Sequence, residues 1–517
     1  MKIFSKFKQL KREFKIVIIT VLLVSCVGVY ATGECIISAT ADDVTYKNTT
    51  VQSAIDELFA MSENYCPPGY ECIKPAIIKA TSSEDTTAFR SDTYRAKIKT
   101  ITLDDQINPP SNVIESWDIG EHQNGDVMAY ITQNNDGNTM YNLYIQGDGS
   151  LYANPNSSYL FNRLYSVDSI NGISKLNTTK VTNMNYMFSN TGSLSDRLTL
   201  DLGNNFDTSK VTDMNYMFFG TGYSSTEFKL DLGDKFDTSN VEYMLNMFAD
   251  VGAKSTKLTL DLGNKFDTKN VKSMYGMFSR LGCPVRQPDY MTEGNGYYFP
   301  SSSIKKDYTL LINLGNKFDT RNVTDMNDMF DSIGCSSSNF TLDLGDKFDT
   351  SKVTDMSRMF ESAGYNSENF TLDLGDNFDT CNVTDMSSMF EEVGYKSTLF
   401  TLNIGEKFNT SNVTRMYRMF ESTGYNNQNF TLDLGNNFNT SNVTDMAYMF
   451  SYTGYSNSNL ILDLSLFDFG NVTNYTNIFT GMRSTGKIYV GNSTARNWII
   501  NNSGNSSLTT SNVLIKS

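Results

Sequence analysis

One aromatic residue returns every thirty positions through most of this chain, and that period constrains the fold more than any other feature. A Met-x-x-Met-Phe element, varied at its ends, places Phe188, Phe218, Phe248, Phe278, Phe330, Phe360, Phe390, Phe420, Phe450 and Phe479. The last step is one residue short, and one step is a full period plus a 22-residue insertion between Cys283 and about Lys306. Within a repeat, Phe340-Thr341-Leu342-Asp343-Leu344-Gly345 alternates apolar and polar side chains, the pattern of a half-buried strand. Asp349-Thr350-Ser351 offers helix-capping side chains, and Val353, Met356, Met359 and Phe360 share one helical face. Gly364 then ends the turn. So few apolar side chains cannot offset the ordering of thirty residues. Each coil must therefore be covered by its neighbours, and the array must be capped at its ends.

The expected fold is an α/β repeat solenoid, leucine-rich-repeat-like, with a short strand and a short helix in each coil. It spans 166–480, with the insertion at about 284–306. A β-rich N-terminal cap is expected over 94–165, where Val127–Thr132, Tyr141–Gln146 and Ser150–Ala153 read as strands separated by Asp-Gly turns. Residues 481–517 are expected to form the C-terminal cap. Residues 42–93 read as a short amphipathic helix capped by Thr49-Thr50, then a loop closed by Cys66 and Cys72, then a polar linker.

Residues 1–41 read as a signal peptide or membrane anchor. Six basic side chains and one acidic one in the first fifteen residues precede an apolar run from Ile16 to Ala31. Three modes of retention are open: lipidation at Cys26 after Leu23-Val24-Ser25, cleavage after Ala39-Thr40-Ala41, or retention as an anchor. The chain carries −15 overall, so the part beyond that basic start is close to −20. Such a surface repels phosphate backbones, and nucleic acid is not an expected partner.

The period also aligns side chains into columns. One outward strand position reads Asp201, Asp231, Asp261, Asn313, Asp343, Asp373, Asn403, Asp433 and Asp463, with threonines two residues earlier in six of the coils. Adjacent coils lie ~4.8 Å apart, so these carboxylates need screening, hydrogen bonds or a cationic partner. A hydrated, hydrogen-bonded face is the plain reading, a docking face for a basic or hydroxyl-rich partner the functional one, and calcium the least favoured. The methionine columns read as core. A Gly-Tyr column (Tyr223, Tyr365, Tyr395, Tyr425, Tyr455) reads either as corner packing or as an aromatic strip for a ligand. Cys283 and Cys335 occupy that column in successive repeats, where stacking brings their Cα atoms to ~5 Å, within disulfide reach. Within the insertion, Tyr290, Tyr297, Tyr298 and Phe299 are candidate contact residues. No catalytic residues, cofactor or metal site are expected. The chain has one histidine, and its acids recur in every repeat whereas an active site is singular.

Asn322-Val323-Thr324-Asp325-Met326…Met329-Phe330 and Leu342-Asp343-Leu344, with Asp-Thr-Ser between, resemble the BspA-like leucine-rich repeat bacterial surface proteins over roughly 94–517. That resemblance implies an exported protein, displayed at the cell surface or released, that binds host or microbial surface proteins or glycans. The repeat here is longer than the family's usual unit, having an added Gly-Tyr-x-x-x-x-Phe segment. The alternative is a structural surface protein that associates with itself and has no specific foreign ligand.

Overall fold

Alternation of apolar and polar residues over five positions sends every second side chain inward, and the same five positions of successive coils become neighbouring parallel strands. A computed structural model describes residues 45–46, 49–50, 75–135, 139–283, 309–335, 337–344, 348–375 and 377–516. Contacts divide the chain into two units, 1–74 and 75–517. In the first, β1 (Thr45–Tyr46) pairs antiparallel with β2 (Thr49–Thr50). Thr49-Thr50 thus lies in a short strand, and the helix expected after it falls outside the described residues. The remainder of 51–74, including Cys66 and Cys72, lies outside the described residues, as do residues 1–41 with Cys26. Among the described residues no helix is long and apolar enough to cross a membrane.

The second unit opens with β3 (Ile98–Asp104), β4 (Val113–Asp118), β5 (Val127–Gln133), β6 (Tyr141–Gly147), β7 (Leu151–Tyr152), β8 (Ser169–Asn171) and β9 (Leu176–Asn177). The repeat strands follow as β10 (Arg197–Asp201), β11 (Glu227–Asp231), β12 (Lys257–Asp261), β13 (Thr309–Asn313), β14 (Asn339–Leu342), β15 (Asn369–Asp373) and β16 (Leu399–Asn403). One sheet runs β11-β10-β8-β3-β6-β5-β4, so the N-terminal strands continue the first repeat strands and cover their open edge. Residues 75–93, expected to be linker, are packed in this block: Ala76, Ile78 and Phe89 are buried, and Ile77 and Ile78 bridge to Tyr152 and Gly120. At the other end β17 (Ile461–Leu464), β18 (Lys487–Val490) and β19 (Val513–Ile515) pair in parallel. Helix α1 (Ser493–Asn502) lies between β18 and β19. Its N-cap Asn492 accepts a hydrogen bond from the Ala495 N–H, and Trp498 stacks on Phe469 at 4.3 Å.

Register is that of the period. Phe370 pairs with Phe340 and Phe400, and Thr371 with Thr341 and Thr401. Three phenylalanine columns fill the interior. Phe330, Phe360 and Phe390 stack at 5.6 and 5.8 Å, Phe348 and Phe378 at 6.2 Å, and Phe340, Phe370 and Phe400 at 5.6 and 5.5 Å. The architecture is a β-rich repeat solenoid.

Among the described residues, the short helix expected in each coil is absent. The Met-x-x-Met-Phe segment is a run of turns in which alternate N–H groups leave the coil. Met359 and Glu361 donate to the carbonyls three residues back, whereas Arg358, Phe360 and Ser362 donate to Ser387, Met389 and Glu391 of the next coil at 2.7–3.1 Å. Two positions four residues apart, such as Arg358 (φ 58°) and Ser362 (φ 55°), take the left-handed backbone conformation that no right-handed helix contains. Val353, Met356, Met359 and Phe360 are nonetheless buried together. Three-residue turns repeat their inward direction at nearly the spacing of a helix, which is why the pattern imitates one. At Gly364 (φ +58°) an added Cβ would lie 2.4 Å from the Phe370 ring, so the corner admits no side chain.

Polar side chains also join coil to coil, which revises the role expected for Asp-Thr-Ser. The Thr380 hydroxyl is buried, donates to the Asn409 carbonyl (2.8 Å) and accepts from the Asn409 N–H (2.7 Å). Thr320, Thr350, Thr410 and Thr440 likewise donate to the following coil. The Asn of each Asn-Val-Thr points the other way, as when Asn382 and Asn412 donate to Ser351 and Cys381 carbonyls at 2.7 Å. Thr380→Val keeps the shape but leaves a buried donor and acceptor unpaired. It is expected to cost about 2–4 kcal/mol, measured as a lowered denaturant midpoint, whereas Ser at this position restores most of the loss.

Candidate functional site

The outward strand rows form the most regular exposed surface. In β10, β12, β15 and β16 the order is exposed–buried–exposed–buried–exposed, so Thr199, Thr259, Thr371 and Thr401 stand in one row and Asp201, Asp261, Asp373 and Asn403 in the next. Asp231 is exposed on β11; Asp343 and Asp433 are exposed in their coils.

Each rung is partly occupied by its own turn. Asp201 Oδ1 accepts from the Gly203 N–H (2.9 Å), Asp231 from Gly233 (3.1 Å), Asp261 from Gly263 (3.0 Å), Asp373 from Gly375 (3.0 Å) and Asp433 from Gly435 (2.9 Å). These are Asx turns, which end the strand and aim the chain toward the next corner. Where the column carries asparagine, the amide relieves the repulsion: Asn313 donates to Asp261 and Asn403 to Asp373, both at 3.0 Å. Burial raises the Asp463 pKa, but hydrogen bonds from Lys516 and Ser465 outweigh it and hold the carboxyl below its ordinary value. The ladder is thus a face of hydrogen-bonded carboxylates and amides. Among the described residues no group of three or more His, Cys, Asp or Glu is placed to hold a metal ion.

A polar groove of about 410 Å³ lies along the following corner, lined by Asp319, Arg321, Asp349, Ser351, Asn377, Asp379 and Lys407. The Asp349 carboxyl is held below its usual range chiefly by Ser351, helped by Arg321 and Lys407 against the effect of burial. The groove therefore presents both signs of charge across four coils. Sequence reasoning assigned these aspartates to capping and missed the groove, because it arises only where side chains of stacked coils meet.

The tyrosine column is decided by its geometry. Tyr365, Tyr395, Tyr425 and Tyr455 stack at 4.9, 4.6 and 4.9 Å. Their ring faces cover one another and Tyr365 is buried, so the column packs the corner of the coils. Cys283 and Cys335 head the same column, joined by a disulfide with Cα atoms 5.4 Å apart and packed against Tyr365. Tyr290, Tyr297, Tyr298 and Phe299, in the loop between those cysteines, lie outside the described residues. The single histidine, His122, lies 3.0 Å from Asp126 through Nδ1.

The family model described as "Mycoplasma protein of unknown function, DUF285" matches residues 156–284, 304–394 and 364–492, most of the repeat array. No curated protein and no solved structure matches the chain.

Proposed function

Starting from the premise that this chain belongs to the DUF285 family of Mycoplasma proteins of unknown function, we propose that it is a non-catalytic binding scaffold of the cell surface. It recognises host or microbial surface proteins or glycans through the outward strand face and the insertion at about 284–306. The observation that carries this reading is the strand face itself. Hydroxyls and carboxylates repeat there at coil spacing over successive strands, exposed on a backbone whose hydrogen bonds are already satisfied. Such a surface offers many equivalent polar contacts at fixed spacing, which suits an extended partner with repeating cationic or hydroxyl groups. The finer likeness to BspA-like surface proteins supports display and adhesion. The basic, then apolar, first thirty-one residues support export and attachment to the membrane.

The test is binding of the full chain, held in detergent micelles, to immobilised host matrix proteins and a glycan array. A strand-face variant, Thr371→Lys with Thr401→Glu, alters only exposed positions and leaves Asp373 bonded to Gly375 and Asn403. It is expected to weaken a saturable interaction at least roughly tenfold without moving Tm. Equal binding by the variant and the native chain removes the strand face from the proposal. Concentration-dependent scattering with no foreign ligand bound supports the self-associating structural protein instead.

A further inference from the structure

A second periodic column is buried or half-buried, and charged over only part of its length. The residue after the core Phe of each motif is Phe219, Ala249 and Ser279 in three early coils and Ser451 and Thr480 in the last two. In the four coils between, it is Asp331, Glu361, Glu391 and Glu421. The coil accepts neutral residues at this place, so the fold itself does not require the acids. Asp331 is wholly buried and Glu361 is 5% exposed.

The charges do not balance. Arg280 grips Asp250 through Nε and Nη2 (2.8 and 2.9 Å) and reaches Asp331 at 3.3 Å. Arg358 lies 2.8 Å from Asp328 and 3.0 Å from Glu361, and Arg418 lies 3.1 Å from Glu391 and 3.4 Å from Glu421. Each guanidinium is thus shared by two carboxylates. Glu392 adds a further acid, accepting from the Ser362 hydroxyl at 3.0 Å. Ser279 and Ser332 also donate to Asp331. Tyr275 and Asp355 act on Asp328, and Tyr365 and Tyr395 lie beside Glu392. Buried oxygens of Glu361 and Glu421 face their arginines without making a hydrogen bond. Carboxylates in adjacent coils, outnumbering the cations among them, cannot all be ionised in a medium that solvates charge poorly.

We propose that this strip is a proton-operated brace: protons shared among its carboxylates hold the central coils shut, and their loss loosens those coils beside the insertion. The proposal stands apart from any reading of the strand face. Burial, opposed by Arg418 and reinforced by Glu391 and Glu392, pushes Glu421 up to about 7. Burial and a neighbouring acid push Asp328 and Glu392 up to about 7, and burial raises Asp331 and Glu361 as well. A carboxyl whose pKa is higher folded than unfolded stabilises the fold fully below its unfolded pKa of ~4, and that stability is lost as pH rises through the folded value. Between pH 5 and 8.5 the sign is therefore a loss of stability with rising pH.

The experiment is calorimetry and amide exchange on the full chain across that range. Tm should fall as pH rises, and unfolding near pH 6 should release about three or more protons per chain. Exchange protection, corrected for intrinsic chemistry, should fall at least roughly tenfold between pH 6 and 8.5 in the turns at 328–335, 358–365, 388–395 and 418–425, and not at the N-terminal strands. The variant Glu361→Gln, Glu392→Gln, Glu421→Gln mimics the protonated strip and should flatten both trends. A Tm that does not fall with pH, or a Gln variant with the slope of the native chain, overturns the proposal. Should that variant not fold, absence of proton release from the native chain overturns it alone.

Discussion

Phe360→Ala is expected to destabilise the repeat array by about 3–5 kcal/mol and to break its cooperativity at that coil. The ring is wholly buried, stacked on Phe330 and Phe390 at 5.6 and 5.8 Å and tilted against Phe378 at 6.3 Å. Truncation removes the transfer term and leaves a void that the backbone cannot close, because Met356–Ser362 is tied by main-chain hydrogen bonds to the next coil. In a solenoid each coil touches only its neighbours, so a weak coil divides the array into two units that unfold separately. A guanidinium titration should show one transition for the native chain and two for the variant. A single transition at an unchanged midpoint would refute the account of the core. Phe360→Leu, which fills most of the space, should lose less than half as much.

Opening the Cys283–Cys335 disulfide by the double substitution Cys283→Ala, Cys335→Ala is expected to have an effect of similar size. The bond closes a separation of 52 residues. Loop-closure entropy for such a length stabilises the folded state by about 4 kcal/mol. Removal acts mainly on the unfolded chain, so the folded coils should keep their register while Tm falls under non-reducing conditions. Native chain treated with reductant should fall to the same Tm, whereas reductant should not move the variant. A native Tm insensitive to reductant would show that the insertion is held by its flanking coils instead.

Much of the fold was legible because it repeats. Equal spacing from Phe188 to Phe450, apart from the insertion, identifies a stacked array, and alternation in Phe370-Thr371-Leu372-Asp373 identifies its strands and their outward residues. The helix was misread for a physical reason. The spacing of Val353, Met356, Met359 and Phe360 records only which side chains point inward, and turns closed over three residues point them inward almost as a helix does. What distinguishes the two is where the N–H groups go, and they go to another coil. The same holds for Thr380, which looks like a capping residue until the next coil supplies Asn409.

The candidate site divides the same way. The strand rows follow from residue order alone, because a two-residue period assigns each side chain to a face. The corner groove, the stacked tyrosines and the buried acid strip do not. Arg280 lies thirty residues from Asp250 and fifty-one from Asp331, and nothing local marks the three as neighbours. By itself, the order of residues determined the length of a coil, its strand and the side chains that face inward, since these depend on periodicity and apolar burial. Only stacking decided the backbone of the Met-Phe segment and which charges share one dry space, since both depend on partners that a single coil does not contain.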